Sequence, residues 1–136
     1  MTWDELARAV VARAGGRCEY CRMHQALQGG VFHLEHVLPR SKGGPTTLEN
    51  LAFACPTCNL RKSDRVEVQG ADVQSMVKLF NPRTQIWLQH FRWDGYLMIG
   101  LTPEGIATVV ALDVNHPRHI LIRGIEELLG LFPPGA

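Results

Sequence analysis

The residues best suited to chemistry are four cysteines, Cys18, Cys21, Cys55 and Cys58, which form two Cys-x-x-Cys pairs with 33 residues between them. Each pair is short enough for one tight knuckle to aim two sulfurs at a single point. Two knuckles complete a tetrahedral thiolate shell that suits Zn²⁺ and leaves no coordination position open to substrate, so the expected zinc is structural. Two disulfides or a redox dithiol are the competing chemistries. A reducing cytosol disfavours the first, and the absence of a βαβ pattern disfavours the second. His24, three residues beyond Cys21, is expected at the surface because the shell is already full.

A second constellation is threaded through the first. It reads His33-Leu34-Glu35-His36-Val37-Leu38-Pro39-Arg40-Ser41-Lys42-Gly43-Gly44, then Asn50-Leu51, then Cys55-Pro56-Thr57-Cys58-Asn59-Leu60-Arg61-Lys62. An acidic residue plus His, then Pro, Gly-Gly, Asn-Leu and Cys-x-x-Cys-Asn-x-x-Lys follow one another in order. This pattern resembles the HNH endonuclease family in its form with Asn in place of the final His. The later Leu79-Phe80-Asn81-Pro82-Arg83, with Trp87, His90-Phe91, Trp93 and Gly100-Leu101-Thr102, is similar to the tail of one bacterial HNH group, which extends the resemblance over most of the chain.

The resemblance implies an α+β fold: a ββα-metal core stapled by the four-cysteine zinc site, followed by a C-terminal β-hairpin and helices. It implies an endonuclease that hydrolyses DNA phosphodiester bonds with a His-activated water and a single divalent ion. His36 matches the general base, and an unperturbed imidazole pKa of about 6.5 suits that task near neutral pH. Glu35 and Asn59 match the ligands of the ion, and oxygen donors favour Mg²⁺ or Mn²⁺. Asn50 matches the residue that braces the loop between the strands. Arg40, Lys42, Arg61 and Lys62 are placed to meet DNA phosphates. His33 shares a strand face with Glu35, and two readings of it stand: a third ligand or partner of a ligand, or a surface and packing residue. His90, His116 and His119 fall outside the motif and are expected to be structural. Two departures from the commonest pattern are Glu35, where Asp is frequent, and Asn59, whose amide oxygen favours harder ions than imidazole would.

Those side chains need elements to hold them. Thr2-Trp3-Asp4-Glu5 reads as a capping box opening a helix that ends at Gly15-Gly16. Gly29-Gly30 marks a turn, Val31 to Leu38 a strand closed by Pro39, Leu51 to Ala54 a returning strand, and Asn59 to Val68 a helix tethered to the second knuckle. Val73 to Phe80 is a short amphipathic stretch. Asp94-Gly95 is a hairpin turn between Ile86 to Trp93 and Tyr96 to Leu101. Thr102-Pro103 starts a further helix, and Arg118 to Leu131 is the last. Two parts are expected, 1–70 as the nuclease core with its zinc ribbon and 71–136 as a hairpin and helical extension packed on the same domain.

At 136 residues with 46% apolar and 20% charged side chains, the chain has ordinary globular composition, which excludes disorder and fibrous repeats. No apolar run reaches the roughly 20 residues that a bilayer requires, and the acidic start lacks the basic and apolar regions of a secretory signal, so no membrane role and a cytoplasmic setting are expected. The formal charge is only +1, yet nine of the fourteen basic residues fall within residues 1–65, so a polyanion should meet that half. The alternative function is a zinc-ribbon module that grips nucleic acid without cutting it. A protein-interaction domain is a third, suggested only by aromatic residues after position 80. Monomer and homodimer are both compatible with the sequence.

Overall fold

Thr2 opens the first helix as expected: its hydroxyl accepts from the Glu5 amide at 3.2 Å, and the Glu5 carboxylate accepts from the Thr2 amide at 2.9 Å. This helix, α1 (Trp3–Ala14), buries Leu6, Val10 and Ala14 and ends at Gly15 in the left-handed conformation. The computed structural model describes residues 1–28, 30–72 and 74–135. Gly29 of the expected Gly29-Gly30 turn, and Val73 at the head of the amphipathic stretch, lie outside the described residues.

Strands β1 (His33–His36) and β2 (Leu51–Ala54) pair antiparallel, His33 opposite Ala54 and His36 opposite Leu51. Every residue of β2 is buried, because α1 covers this strand and the cysteine knuckles flank it. Helix α2 (Pro56–Lys62) follows at once. The Cys55 sulfur caps it and Pro56 occupies its first turn, where a missing N–H costs nothing.

The expected Asn59 to Val68 helix is therefore both earlier and shorter. Ser63 adopts a positive φ of 51° that ends it, and Glu67–Gln69 instead form β3, paired with β4 (Met76–Lys78). Val68 favours the strand it enters.

A one-turn helix α3 (Trp87–His90) leads into the hairpin of β5 (Phe91–Asp94) and β6 (Leu97–Gly100). Asp94 pairs with Leu97, so the two-residue turn is Gly95-Tyr96, one position later than the dipeptide suggested. Gly95, at φ 59°, takes the turn position that excludes most side chains. Helix α4 (Pro103–Ala111) starts at the expected Thr102 cap. Helix α5 (Pro117–Leu128) starts one residue early under a His116 cap and stops three residues short.

One cluster of buried side chains runs through both parts of the chain, from Leu6 and the cysteines to Phe80, Trp87, Phe91, Met98 and Val114. Aromatic contacts knit its later half: Trp87 to Phe91 at 5.1 Å, Phe80 edge-on to Phe91 at 5.2 Å, Trp93 edge-on to Phe132 at 5.0 Å. The last helix returns to the first knuckle, where the His24 amide donates to the Glu126 carboxylate at 2.8 Å. Among the described residues no helix is long and apolar enough to cross a membrane.

Candidate active site and four-cysteine cluster

The two knuckles bring all four cysteines into one buried group whose sulfurs lie within 4.8 Å of one another. In each pair the second cysteine's amide points at the first one's sulfur, Cys21 to Cys18 at 3.5 Å and Cys58 to Cys55 at 3.4 Å. The Cys21 and Cys55 sulfurs are 3.7 Å apart. A disulfide needs about 2.05 Å, whereas sulfurs on a tetrahedron with ~2.3 Å metal bonds are about 3.8 Å apart. The donor set thus fits Zn²⁺. Burial opposes ionisation of Cys18, yet hydrogen bonds from the other three thiols hold it well below its ordinary range. Those shared hydrogen bonds, with burial, push Cys21 and Cys58 well above theirs. A divalent cation is what allows all four to ionise together. His24 takes no part; its Nδ1 accepts from the Ala26 amide at 3.1 Å.

The knuckle residues between Cys18 and Cys21 are tied to the strands. Glu19 pairs with Phe53 of β2 through both its amide and its carboxylate, each at 2.8 Å, and its other carboxylate oxygen meets Arg83. Tyr20, fully buried, donates its hydroxyl to Glu35 Oε2 at 2.7 Å, and its carbonyl accepts from the Trp87 indole at 2.9 Å.

The ββα element gathers Glu35, His36 and Asn59 around one open cleft of about 350 Å³, rimmed by Arg40, Ser63 and Asp64. His36, at the end of β1, has Nε2 2.8 Å from the Thr46 hydroxyl. Burial, reinforced by Arg40 and Lys62, lowers its pKa, which favours the neutral imidazole that a base must be.

Asn50 is the loop's anchor. Its Oδ1 accepts from the Leu38 amide at 2.9 Å, and its Nδ2 donates to the carbonyls of Leu38 at 3.0 Å and Pro45 at 2.9 Å. The close approach explains the second glycine of the pair at 43 and 44, since a Cβ on Gly44 would stand 1.7 Å from the Leu38 oxygen.

Lys62 corrects an expectation. It does not face phosphate: its side chain is only 2% exposed, ion-paired to Glu35, and donating to the carbonyls of Val37 at 3.0 Å and His36 at 3.4 Å. At the last turn of a short helix folded against β1, its long stem reaches beneath the strand rather than out to solvent. Glu35 is accordingly 5% exposed, held by Tyr20 on one oxygen and Lys62 on the other. Burial raises its pKa, and Lys62 and Tyr20 oppose the rise. Each oxygen has one partner and two lone pairs, which leaves acceptor capacity in the cleft wall.

The remaining cations are exposed, with two of them partly engaged: Lys42 donates to the Asp64 carbonyl at 2.5 Å and Arg61 pairs with Asp113 at 3.5 Å. His33 is exposed at the start of β1 and does not line the cleft. Tyr20 and Thr46 were not singled out from sequence. Position inside a Cys-x-x-Cys pair was a usable signal for Tyr20, whereas nothing local marks Thr46.

The chain segments around this cleft, knuckle, strand, braced loop, strand and capped helix, all fall within one stretch that a family comparison matches. Residues 18–65 match the HNH endonuclease family model. The HNH span thus begins at the first zinc-knuckle cysteine, ends just beyond α2, and contains every residue of the cleft described above. The match points to nuclease-type chemistry. No match was found among curated proteins or solved structures.

Proposed function

We propose that the chain is a metal-dependent endonuclease that hydrolyses DNA phosphodiester bonds. The observation that carries this reading is the convergence of His36, Glu35 and Asn59 on one cleft of an HNH span. The neutral His36 imidazole takes a proton from water as the water oxygen attacks phosphorus. The phosphorus bond to the 3′ oxygen breaks and that oxygen takes a proton from solvent, giving 5′-phosphate and 3′-hydroxyl ends. Thr46, in contact with Nε2, sets the ring's orientation, and Asn50 keeps the loop beside it in place. Exposed Arg40, Lys42 and Arg61 meet flanking phosphates. Glu35 and Asn59 would hold one Mg²⁺ or Mn²⁺, whose charge would stabilise the phosphate oxygens and the departing alkoxide. The Zn²⁺ of the cysteine cluster is structural.

A second reading has an observation in its favour. A carboxylate already engaged by a buried lysine and a tyrosine also suits a module that binds nucleic acid without cutting it. Supercoiled plasmid incubated with EDTA, Mg²⁺ or Mn²⁺ separates the two. Cleavage should appear only with added metal, and His36→Ala should lower its rate by about 10²-fold or more while DNA retention in a gel shift is kept. Metal-independent nicking, or a His36→Ala protein with more than about a tenth of the rate, would sink the proposal.

A further inference from the structure

The knuckle's Tyr20 is a residue whose hydroxyl packing alone does not explain. Its ring is 0% exposed among apolar neighbours, a setting in which phenylalanine would fill the same space without a polar atom to satisfy. The hydroxyl has one hydrogen-bond partner, the Oε2 of Glu35 at 2.7 Å. Nor is the ring free to shift. Its own residue lies between two cysteines of the buried cluster, its carbonyl is held by the Trp87 indole at 2.9 Å, and the preceding Glu19 is bonded twice to β2. The opposite oxygen of Glu35 is met by Lys62, itself fastened to the carbonyls of Val37 and His36. The carboxylate is clamped from two sides, by Tyr20 inside the first knuckle and by Lys62 at the end of the helix that the second knuckle starts.

We propose that Tyr20 is a positioning residue for the nuclease cleft: the four-cysteine knuckle fixes its phenol, and the phenol's hydroxyl fixes the Glu35 carboxylate in the orientation that receives the divalent ion. The inference rests on the reading of Glu35 as a ligand for that ion. Under it the cysteine cluster tunes the cleft as well as stapling the fold, and the Tyr20–Glu35 hydrogen bond couples the two metal sites. Partners of this kind, one bond behind a metal ligand, change metal affinity by about 10- to 100-fold when removed.

The test is Mn²⁺ binding to the zinc-loaded, DNA-free protein, followed by electron paramagnetic resonance, in wild type, Tyr20→Phe and Glu35→Ala. Zinc content and thermal melting are measured alongside. Tyr20→Phe should keep one zinc per chain and its cooperative melt, yet bind Mn²⁺ about ten-fold more weakly. If Glu35→Ala loses Mn²⁺ affinity while Tyr20→Phe stays within two-fold of wild type, the positioning role is wrong and the ligand reading survives. If Glu35→Ala binds Mn²⁺ as wild type does, the ligand reading falls and this inference falls with it. A Tyr20→Phe protein that has lost its zinc also overturns the proposal, since the hydroxyl would then be holding the knuckle and not the carboxylate.

Discussion

Residues 18–65 and residues 79–132 contribute to the same core by different physics. The first stretch buries Glu19, Glu35, Asn50 and Lys62, and each has specific partners: β2 and Arg83, Tyr20 and Lys62, the Leu38 backbone, and the carbonyls at the end of β1. The second packs Phe80, Trp87, Phe91, Met98 and Phe132 by broad, non-directional contacts, and also buries His90, Thr108, His119, Arg123 and Glu126, of which Thr108 and Arg123 bond chiefly to backbone. A partner-specific interior places atoms accurately but leaves a costly orphan when one member is removed. An aromatic interior tolerates exchange of shape provided volume is kept. The buried charges at the cleft, Glu35 and Lys62, are thus held by each other, whereas the aromatic cluster of the later stretch supplies cohesion by bulk burial.

The largest expected break in that contrast comes from the cysteines. Structural zinc contributes binding energy on the order of 10 kcal/mol to folding, so Cys55→Ser should abolish the cooperative melt of the first stretch and its zinc content together. A melt within a few degrees of wild type would show that the knuckles are not what holds residues 18–65. Next in size is a paired comparison by denaturant unfolding. Lys62→Met leaves the Glu35 carboxylate buried without its cation and should cost about 3–5 kcal/mol, whereas Phe91→Leu should cost about 1 kcal/mol. Equal losses would erase the distinction between the two interiors.

The smallest test sharpens the comparison at a buried polar group of the second stretch. His119 lies in the second stretch, buried, with neither ring nitrogen partnered, and burial, aided by Arg123, lowers its pKa to about 4. The unfolded chain therefore takes up this proton first as pH falls from about 6.5, and the stability present above that pH is lost progressively toward pH 4. His119→Leu should remove this contribution, flattening the fall in melting temperature across that interval by about 10 °C. An unchanged slope would mean that His119 finds a proton acceptor in solution.

What could be read from sequence was mostly local. The Thr2 and Thr102 caps, the pairing of residues 51–54 with residues near 35, and the meeting of the four cysteines each follow from spacing within a few residues of the elements concerned. The failures needed knowledge of distant partners. Lys62 looks like a solvated helix cation until Glu35, 27 positions earlier in the sequence, is known to lie beneath it. The Asn59 to Val68 helix was over-extended because the left-handed Ser63 has no composition signal, such as a glycine, to announce it. Thr46 reaches His36 across a loop whose path is dictated by Asn50 and Gly44, so only the folded chain reveals the contact.

The hydrogen bond from the His24 amide to Glu126 spans 102 residues of sequence. Exchange of that amide with solvent deuterium requires the bond to open, and lifting α5 from the knuckle opens it. A single backbone proton near the cysteines thus keeps time for the docking of the last helix. Its exchange rate should rise in Glu126→Ala, while amides within β2, covered by α1, keep theirs.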